Sequence, residues 1–414
     1  MTPPSEKIRI LYVENGIGYG GAIVCLRHLV RNLDRACYQA MLITGRTGPE
    51  YLGIADEAIW RHIPDRRLDV PTLQQKLSKT GWLIRFPGMR TLLGQVLARL
   101  DDLINFLPFF ISLLLTALRF KPDLVHANNE PLCNRAALLV GRILRVPTVA
   151  HVRGDQKGSH MMGWAYTLPT HFITVSRWVS ESIGRIGVPA DKRTVVYDGI
   201  ELEKLDLNAD AGAFRQRFGI PFEATAVGLV GLLIPWKGQQ LFLEGMRSLL
   251  PDNPNLWAII VGGTPEECVA YEAELREVAA DPTFCGRVVF TGHVTEMAQV
   301  YNGLDIVVSA STAPEPLGTM IIEAMAMARP LVAPDHGGAL EMLVRERTGL
   351  LFRAGDAGDL AAQIGRLSAN LDLGRQLGSA AREQALQSFA VATHVQQVQG
   401  IYERILSGFN SRAT

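Results

Sequence analysis

The chain has 414 residues, 48% hydrophobic and 20% charged, with equal numbers of acidic and basic side chains. That length supports two or three domains with a large core, and the composition excludes a disordered or fibrous protein. The charge is unevenly spread: residues 1–199 carry 25 Lys+Arg against 16 Asp+Glu, a net of +9, and the remainder carries −9. Such asymmetry suggests two lobes, the first facing something anionic.

Five scattered cysteines, Cys25, Cys37, Cys133, Cys268 and Cys285, form no C-x-x-C pair. They read as reduced thiols of a cytosolic protein, mostly small core residues. The N-terminal stretch MTPPSEKIRI lacks the basic-then-apolar order of a signal peptide.

Ile8–Val13 reads as a first strand, followed by ENGIGYGGA, Glu14 to Ala22. Gly16, Gly18 and Gly21 fit G-x-G-x-x-G, the dinucleotide fingerprint. A nicotinamide dinucleotide wants an acidic residue at the end of the second strand. The second strand, Ala40–Thr44, runs instead into Gly45-Arg46-Thr47, where only Arg46 leaves room for a 2′-phosphate. The glycine loop is therefore expected to serve another diphosphate or a close-packed ligand.

Residues 76–121 mix Lys76, Lys79, Arg85, Arg90, Arg99, Arg119 and Lys121 with Trp82 and Phe86. The 16 uncharged residues Leu103–Leu118 fall short of the roughly 20 that span a bilayer, and Pro108 is expected to interrupt them. The readings are a helix in the membrane interface or a buried crossover helix.

Further strands are expected at Leu124–His126, Thr148–Val152, Phe172–Val175 and Thr194–Tyr197. After the polar stretch Glu201–Glu223 the series restarts at Ala226–Val230, Trp257–Val261, Val288–Phe290, Ile306–Ser309 and Leu331–Ala333. Strands separated by helix-length segments indicate an α/β protein of two doubly wound parallel sheets. Residues 1–200 would form one Rossmann-like lobe and 201–385 the other, with an inter-lobe cleft at the carboxyl ends of the strands. Residues 386–414, with a helix around Val391–Leu406, would return to the first lobe.

The strongest chemical signal is PEPLGTMIIEAMAMARP, Pro314 to Pro330. Gly318–Ala328 reads as a helix that leaves the carboxyl end of a strand. Backbone N–H groups of Leu317, Gly318 and Thr319 would make an anion site at its start. Thr319 and Glu323 share a helix face. Glu323 would accept hydrogen bonds from a ribose diol, and Glu315, in the loop before, from a sugar ring. Lys237, in VGLLIPWKGQ after the first strand of the second lobe, is a natural phosphate partner.

Together these residues resemble the group 1 family (family 4) of GT-B-fold glycosyltransferases, over nearly the whole chain. Glu315 and Glu323 match its E-x7-E pair, within a match that includes EAMA, ARP and HGGALEML. Gly20-Gly21 matches its first-strand glycine pair, and DLVHANN, Asp123 to Asn129, its strand-end segment. The resemblance implies that Glu315 touches the donor sugar and Glu323 the ribose. Lys237 and the helix start at Gly318 would hold the diphosphate, and His293 and Val294 of FTGHV would meet the base. It places Gly18, Asn128 and Asn129 on the acceptor side.

Two departures stand out. The family's usual Arg, five residues before the Lys, is Leu232 here. Where the family often has His two residues after His151, this chain has Arg153; it shares strand parity with His151, so both are cleft candidates for sugar, diphosphate or acceptor. His151 also reads as an ordinary core histidine.

What the resemblance implies is a retaining, metal-independent transferase without cofactor, using a UDP- or GDP-linked sugar. No D-x-D motif and no His/Cys cluster with ligand spacing occurs. The expected acceptor is a glycan or a lipid-linked glycan, in polysaccharide or cell-envelope synthesis. A cytoplasmic protein on the inner face of the plasma membrane, touching its anionic surface and no nucleic acid, fits this reading. The rivals are a GT-B-fold epimerase or phosphorylase, and a nucleotide-sugar-binding protein without turnover.

Overall fold

The computed structural model describes residues 6–16, 21–65, 99–156 and 163–413. The chain divides into two compact units: Met1–Val175, Val179–Val196 and Val395–Thr414 form the first, Ser176–Trp178 and Tyr197–His394 the second. The final helix, Val391–Ala413, thus passes from the second unit into the first.

In the first unit β1 (Ile8–Glu14), β2 (Tyr38–Thr44), β3 (Ile59–His62), β4 (Leu124–Asn128), β5 (Thr148–Val152), β6 (His171–Thr174) and β7 (Arg193–Val195) form one sheet. Its order is β3-β2-β1-β4-β5-β6-β7, all parallel. Every residue of β4 and β5 is buried, as expected for central strands covered by helices on both faces. The chain reverses direction across the sheet between β1 and β4, so their carboxyl ends mark the place where such sheets take ligands.

The second unit repeats the plan. Its strands are β8 (Thr225–Val230), β9 (Leu256–Val261), β10 (Val288–Gly292), β11 (Ile306–Val308), β12 (Leu331–Pro334) and β13 (Leu350–Phe352). They are ordered β10-β9-β8-β11-β12-β13, again all parallel. The reversal falls between β8 and β11. Buried Arg215 ties the entries of these two strands: it donates to the Gly303 carbonyl at 3.0 Å, to the Ala224 carbonyl at 2.9 Å and to Asp305 at 2.7 Å. Asp305 in turn accepts the Ala226 N–H at 2.7 Å.

The structure corrects several sequence expectations. β3 and β13 were not anticipated: Ile59–His62 alternates exposed and half-buried at a sheet edge, and Leu350–Phe352 is three residues long, too short to show a period. Pro108 does not interrupt its segment. A helix runs from Arg99 to Phe120, and a π-helical turn at Asp102–Phe106 precedes the proline. The Leu107 N–H bonds the Asp102 carbonyl, so the register has already shifted before the residue that lacks an N–H. Of the cysteines only Cys25 is fully buried; Cys285 is exposed and the others are intermediate. Gly18, Gly20 and the part of the basic segment at 76–98 lie outside the described residues.

The Arg99–Phe120 helix crosses over to β4 and buries Phe109, Leu113 and Ala117 against Leu11, Val125 and Ala137. Leu113 is fully buried, whereas Leu115 is 50% exposed. Leu113→Ala should therefore cost about 2–5 kcal/mol and Leu115→Ala within about 0.5 kcal/mol. Urea denaturation should show a lowered midpoint only for Leu113→Ala; equal shifts would contradict this orientation of the helix.

Candidate active site

In the second unit the carboxyl ends of β8, β11 and β12 converge on Glu315. Lys237 closes a short turn, Pro235–Lys237, after β8. Its ammonium lies 2.8 Å from Glu315 Oε1 and 4.6 Å from the centre of the Trp236 ring. Glu315 also accepts the Ser311 hydroxyl, from the segment after β11. Gly238 follows Lys237 because nothing else fits: φ is +77° and a Cβ would stand 1.8 Å from the Ala310 carbonyl oxygen.

The HGGA stretch after β12 completes the arrangement. Gly337 has φ +60°, and a Cβ there would crowd the backbone of Glu315 at 2.8 Å. The Gly338 N–H donates to the Glu315 carbonyl at 2.8 Å. Glu315 is thus held by side chain and backbone from three strand ends. His336, just before these glycines, has both ring nitrogens buried with no hydrogen-bond partner among the described residues.

The expected helix forms over Thr319–Ala326, with Gly318 as its N-cap and no side chain capping it. Among the described residues the N–H groups of Leu317, Gly318 and Thr319 have no acceptor. They remain available to an anion at the positive end of the helix. On the same helix Glu323 accepts the Tyr301 hydroxyl at 2.7 Å through Oε2 and keeps part of its surface open. Burial raises its pKa above the ordinary carboxylate value, opposed by the Tyr301 hydrogen bond. Val294 is buried and His293 exposed, beside the β9 end where Gly263 faces the His293 Cβ. No hydrogen bond among the described residues joins His293 to Lys237, Glu315 or Glu323. Leu232, at the position of the missing cation, is 53% exposed. Its carbonyl accepts from Gln239 Nε2 at 2.8 Å, so the loop backbone is fixed whatever side chain it carries.

In the first unit, strand register lines up Glu14, Asn128 and His151 at adjacent carboxyl ends. Asn128 donates to Glu14 Oε2 and accepts from Arg153 Nε at 2.9 Å. Arg153 Nη2 lies 3.5 Å from His151 Nδ1. His151 is fully buried and packs edge-on to His126 at 5.3 Å, so it presents no surface to a ligand; the half-buried Arg153 does. Glu14 Oε1 accepts the Gly16 N–H at 2.8 Å, and a Cβ on Gly16 would meet it at 2.6 Å. Burial pushes the Glu14 pKa up, against hydrogen bonds from Asn128 and Gly16 and the charge of Arg153. Gly21 opens the helix Gly21–Arg31 with nothing near its absent Cβ, and Asn129 holds φ +75°.

Sequence reasoning missed four of these groups. Glu14 was legible as a carboxylate ending a strand just before the glycine loop. His336 opens the HGGALEML stretch but was not singled out from it, and Ser311 and Tyr301 carried no local signal, since their roles depend on partners brought in by the fold.

The family model described as "Glycosyl transferases group 1" matches residues 224–370, and "Glycosyl transferase 4-like domain" matches residues 20–199. A lipopolysaccharide core biosynthesis mannosyltransferase of Rhizobium meliloti is 27% identical over 363 residues, 83% of this chain and 99% of that protein. A GDP-mannose-dependent alpha-mannosyltransferase of Mycobacterium tuberculosis is 28% identical, over 59% of this chain and 64% of its own. Among solved structures, Anabaena HepE in complex with UDP and glucose superposes with a TM-score of 0.78 at 23% identity, over 96% of this chain and 100% of that one. A Rickettsia africae glycosyltransferase gives 0.80 at 18% identity, over 97% of this chain and 99% of its own. These structures share the two-lobed GT-B fold.

A carboxyl with a raised folded pKa binds its proton more tightly when folded. Its contribution to stability is fully present below the ordinary carboxylate value and is lost as pH rises from there through the folded pKa. Glu323→Gln keeps an acceptor for Tyr301 and removes the buried charge. Thermal melts should place this variant at or above wild type near pH 7, with the gap closing toward about pH 4. A variant less stable than wild type near pH 7, with a gap that stays constant down to pH about 4, would contradict the assignment.

Proposed function

The chain belongs to the group 1 glycosyl transferases, as an enzyme of the hexosyltransferase type, and we propose that its second unit binds a UDP- or GDP-linked sugar as donor. The observation that carries this is the set of unused N–H groups at Leu317, Gly318 and Thr319, with the Lys237 ammonium on the next strand end. A diphosphate would take both: amides and helix dipole bind one phosphate, and Lys237 exchanges Glu315 for the other. Glu315, released, turns to the hydroxyls of the donor sugar. Glu323, steadied by Tyr301, accepts the ribose diol. Val294 and His293 offer backbone to the base.

The reading includes retention of configuration. The bond from C1 to the diphosphate oxygen breaks, and a bond from C1 to the acceptor oxygen forms on the same face. The acceptor's proton passes to the departing phosphate, so no side-chain base is required. Charge on the leaving group is met by Lys237 and the helix-end amides, without a metal, in keeping with the lack of a D-x-D motif. The acceptor is a glycan or lipid-linked glycan of the cell envelope, on the likeness to the Rhizobium lipopolysaccharide core enzyme. Of the first unit's residues, Arg153 and Asn129 would contact it, whereas Asn128 is fully buried and orients Arg153.

UDP and GDP should be compared by thermal shift. The matching nucleotide stabilises by about 2.7 kcal/mol at 100 times its Kd. Lys237→Ala, losing a charge-assisted bond of about 1.5–3 kcal/mol, should weaken it roughly 10- to 150-fold. Leu232→Arg should tighten it. Equal shifts in wild type and Lys237→Ala would remove the diphosphate assignment, and turnover of the nucleotide sugar without any acceptor would replace transfer with epimerisation.

A further inference from the structure

The Arg99–Phe120 helix carries a surface that the fold does not explain. Leu100, Leu103, Ile104, Leu107, Ile111, Leu115 and Leu118 are each 41–63% exposed. From Leu107 on they recur every three or four residues along one helix face, and the run of residues 100–118 is about 27 Å long. Phe109, Leu113, Thr116 and Ala117 occupy the opposite arc and are buried. Seven large apolar side chains in one unbroken line are far from the scattered exposure normal for a soluble surface.

The charges around the stripe say what covers it. Its C-terminal end carries exposed Arg119 and Lys121. The helix Arg135–Leu144 packs alongside and ends in exposed Arg142, Ile143 and Arg145. At the N-terminal end Asp102 is paired with Arg99 and Arg135, and buried Asp101 accepts from Asn105 at 2.7 Å. Arg135 also caps the Phe106 ring at 4.3 Å, pinning the helix to its neighbour.

We propose that this stripe and its basic end dock the enzyme on an anionic lipid bilayer, with the helix lying in the plane of the interface. The helix is long and apolar enough to cross a membrane. It does not cross here, because spanning would pull Phe109 and Leu113 out of the core shared with Leu11, Val125 and Ala137. Half a helix in the core and half an apolar face outward is the geometry of an interfacial element. The basic cluster supplies attraction to acidic headgroups. The inference does not depend on the donor-site reading, and its test uses neither nucleotide nor sugar.

The full-length protein should be co-sedimented with vesicles of phosphatidylcholine alone and of phosphatidylcholine mixed with phosphatidylglycerol. Binding is expected only to the anionic vesicles and should fall with added salt. Arg119→Ala and Lys121→Ala should each lower it about fivefold. The triple variant Leu103→Gln, Ile104→Gln, Ile111→Gln should lower it at least about tenfold while keeping the wild-type melting temperature. No binding to either vesicle, or equal binding by the triple variant and wild type, would overturn the proposal. So would a dimer in sedimentation velocity that the triple variant converts to monomer without any vesicle binding, since a second copy would then be what covers the stripe.

Discussion

The second unit depends on the carboxylate of Glu315. It takes the Lys237 ammonium from the end of β8 and the Ser311 hydroxyl from the end of β11, while its backbone is clasped by Gly337 and Gly338 from the end of β12. One residue therefore fixes three loops whose sequences lie up to a hundred positions apart. The glycines around it follow from that contact. Gly238 lets Lys237 turn back under Ala310, and Gly337 lets the third loop close on Glu315. With the loops tied, the first turn of the Thr319–Ala326 helix is left without a cap and its amides face outward. An uncapped helix start is normally a loss of about 1 kcal/mol. Under the proposed donor reading these amides would bind a phosphate instead.

The first unit uses a different device. A line of hydrogen bonds runs from Glu14 through Asn128 to Arg153, set by the register of β1, β4 and β5. An Asn in the middle both donates and accepts, so it orients a carboxylate on one side and a guanidinium on the other. Deeper in the same unit the Tyr402 hydroxyl, from the C-terminal helix, donates to Tyr12 at 3.2 Å and lies 2.7 Å from His126 Nδ1. The last helix is thereby tied into the layer beneath Glu14.

Much of this was legible because it is local. The parallel strands announce themselves as short β-branched runs, and all eleven expected strands overlap the observed ones to within about two residues at each end. Glu315, Lys237 and the helix start lie on loops that leave strand ends, where pattern and chemistry coincide. What was not legible is what depends on a distant partner. Tyr301 is 22 residues from Glu323 and looks like any core aromatic. His151 looked like a site residue by parity, yet it is fully buried with the His126 ring packed edge-on against it. Pro108 looked like a break because proline removes one hydrogen bond, but a π-helical turn had already spent the register. Each miss is a case of tertiary context overriding a local rule.

The departures from ordinary folding rules are also where function gathers. A soluble domain gains nothing by burying Glu14 and Glu323 with raised pKa values, by leaving His336 unpartnered among the described residues, or by turning Leu103, Ile104 and Leu115 to water. Each is a local cost. Under the readings proposed above, a ribose diol would satisfy Glu323 and acyl chains would cover the stripe. The same reasoning treats Leu232 differently. Its loop backbone is held by Gln239 and Gly263 independently of the side chain, so leucine there strains nothing and satisfies nothing. On the proposed donor reading, the missing cation would change the strength of diphosphate binding and not the architecture around it.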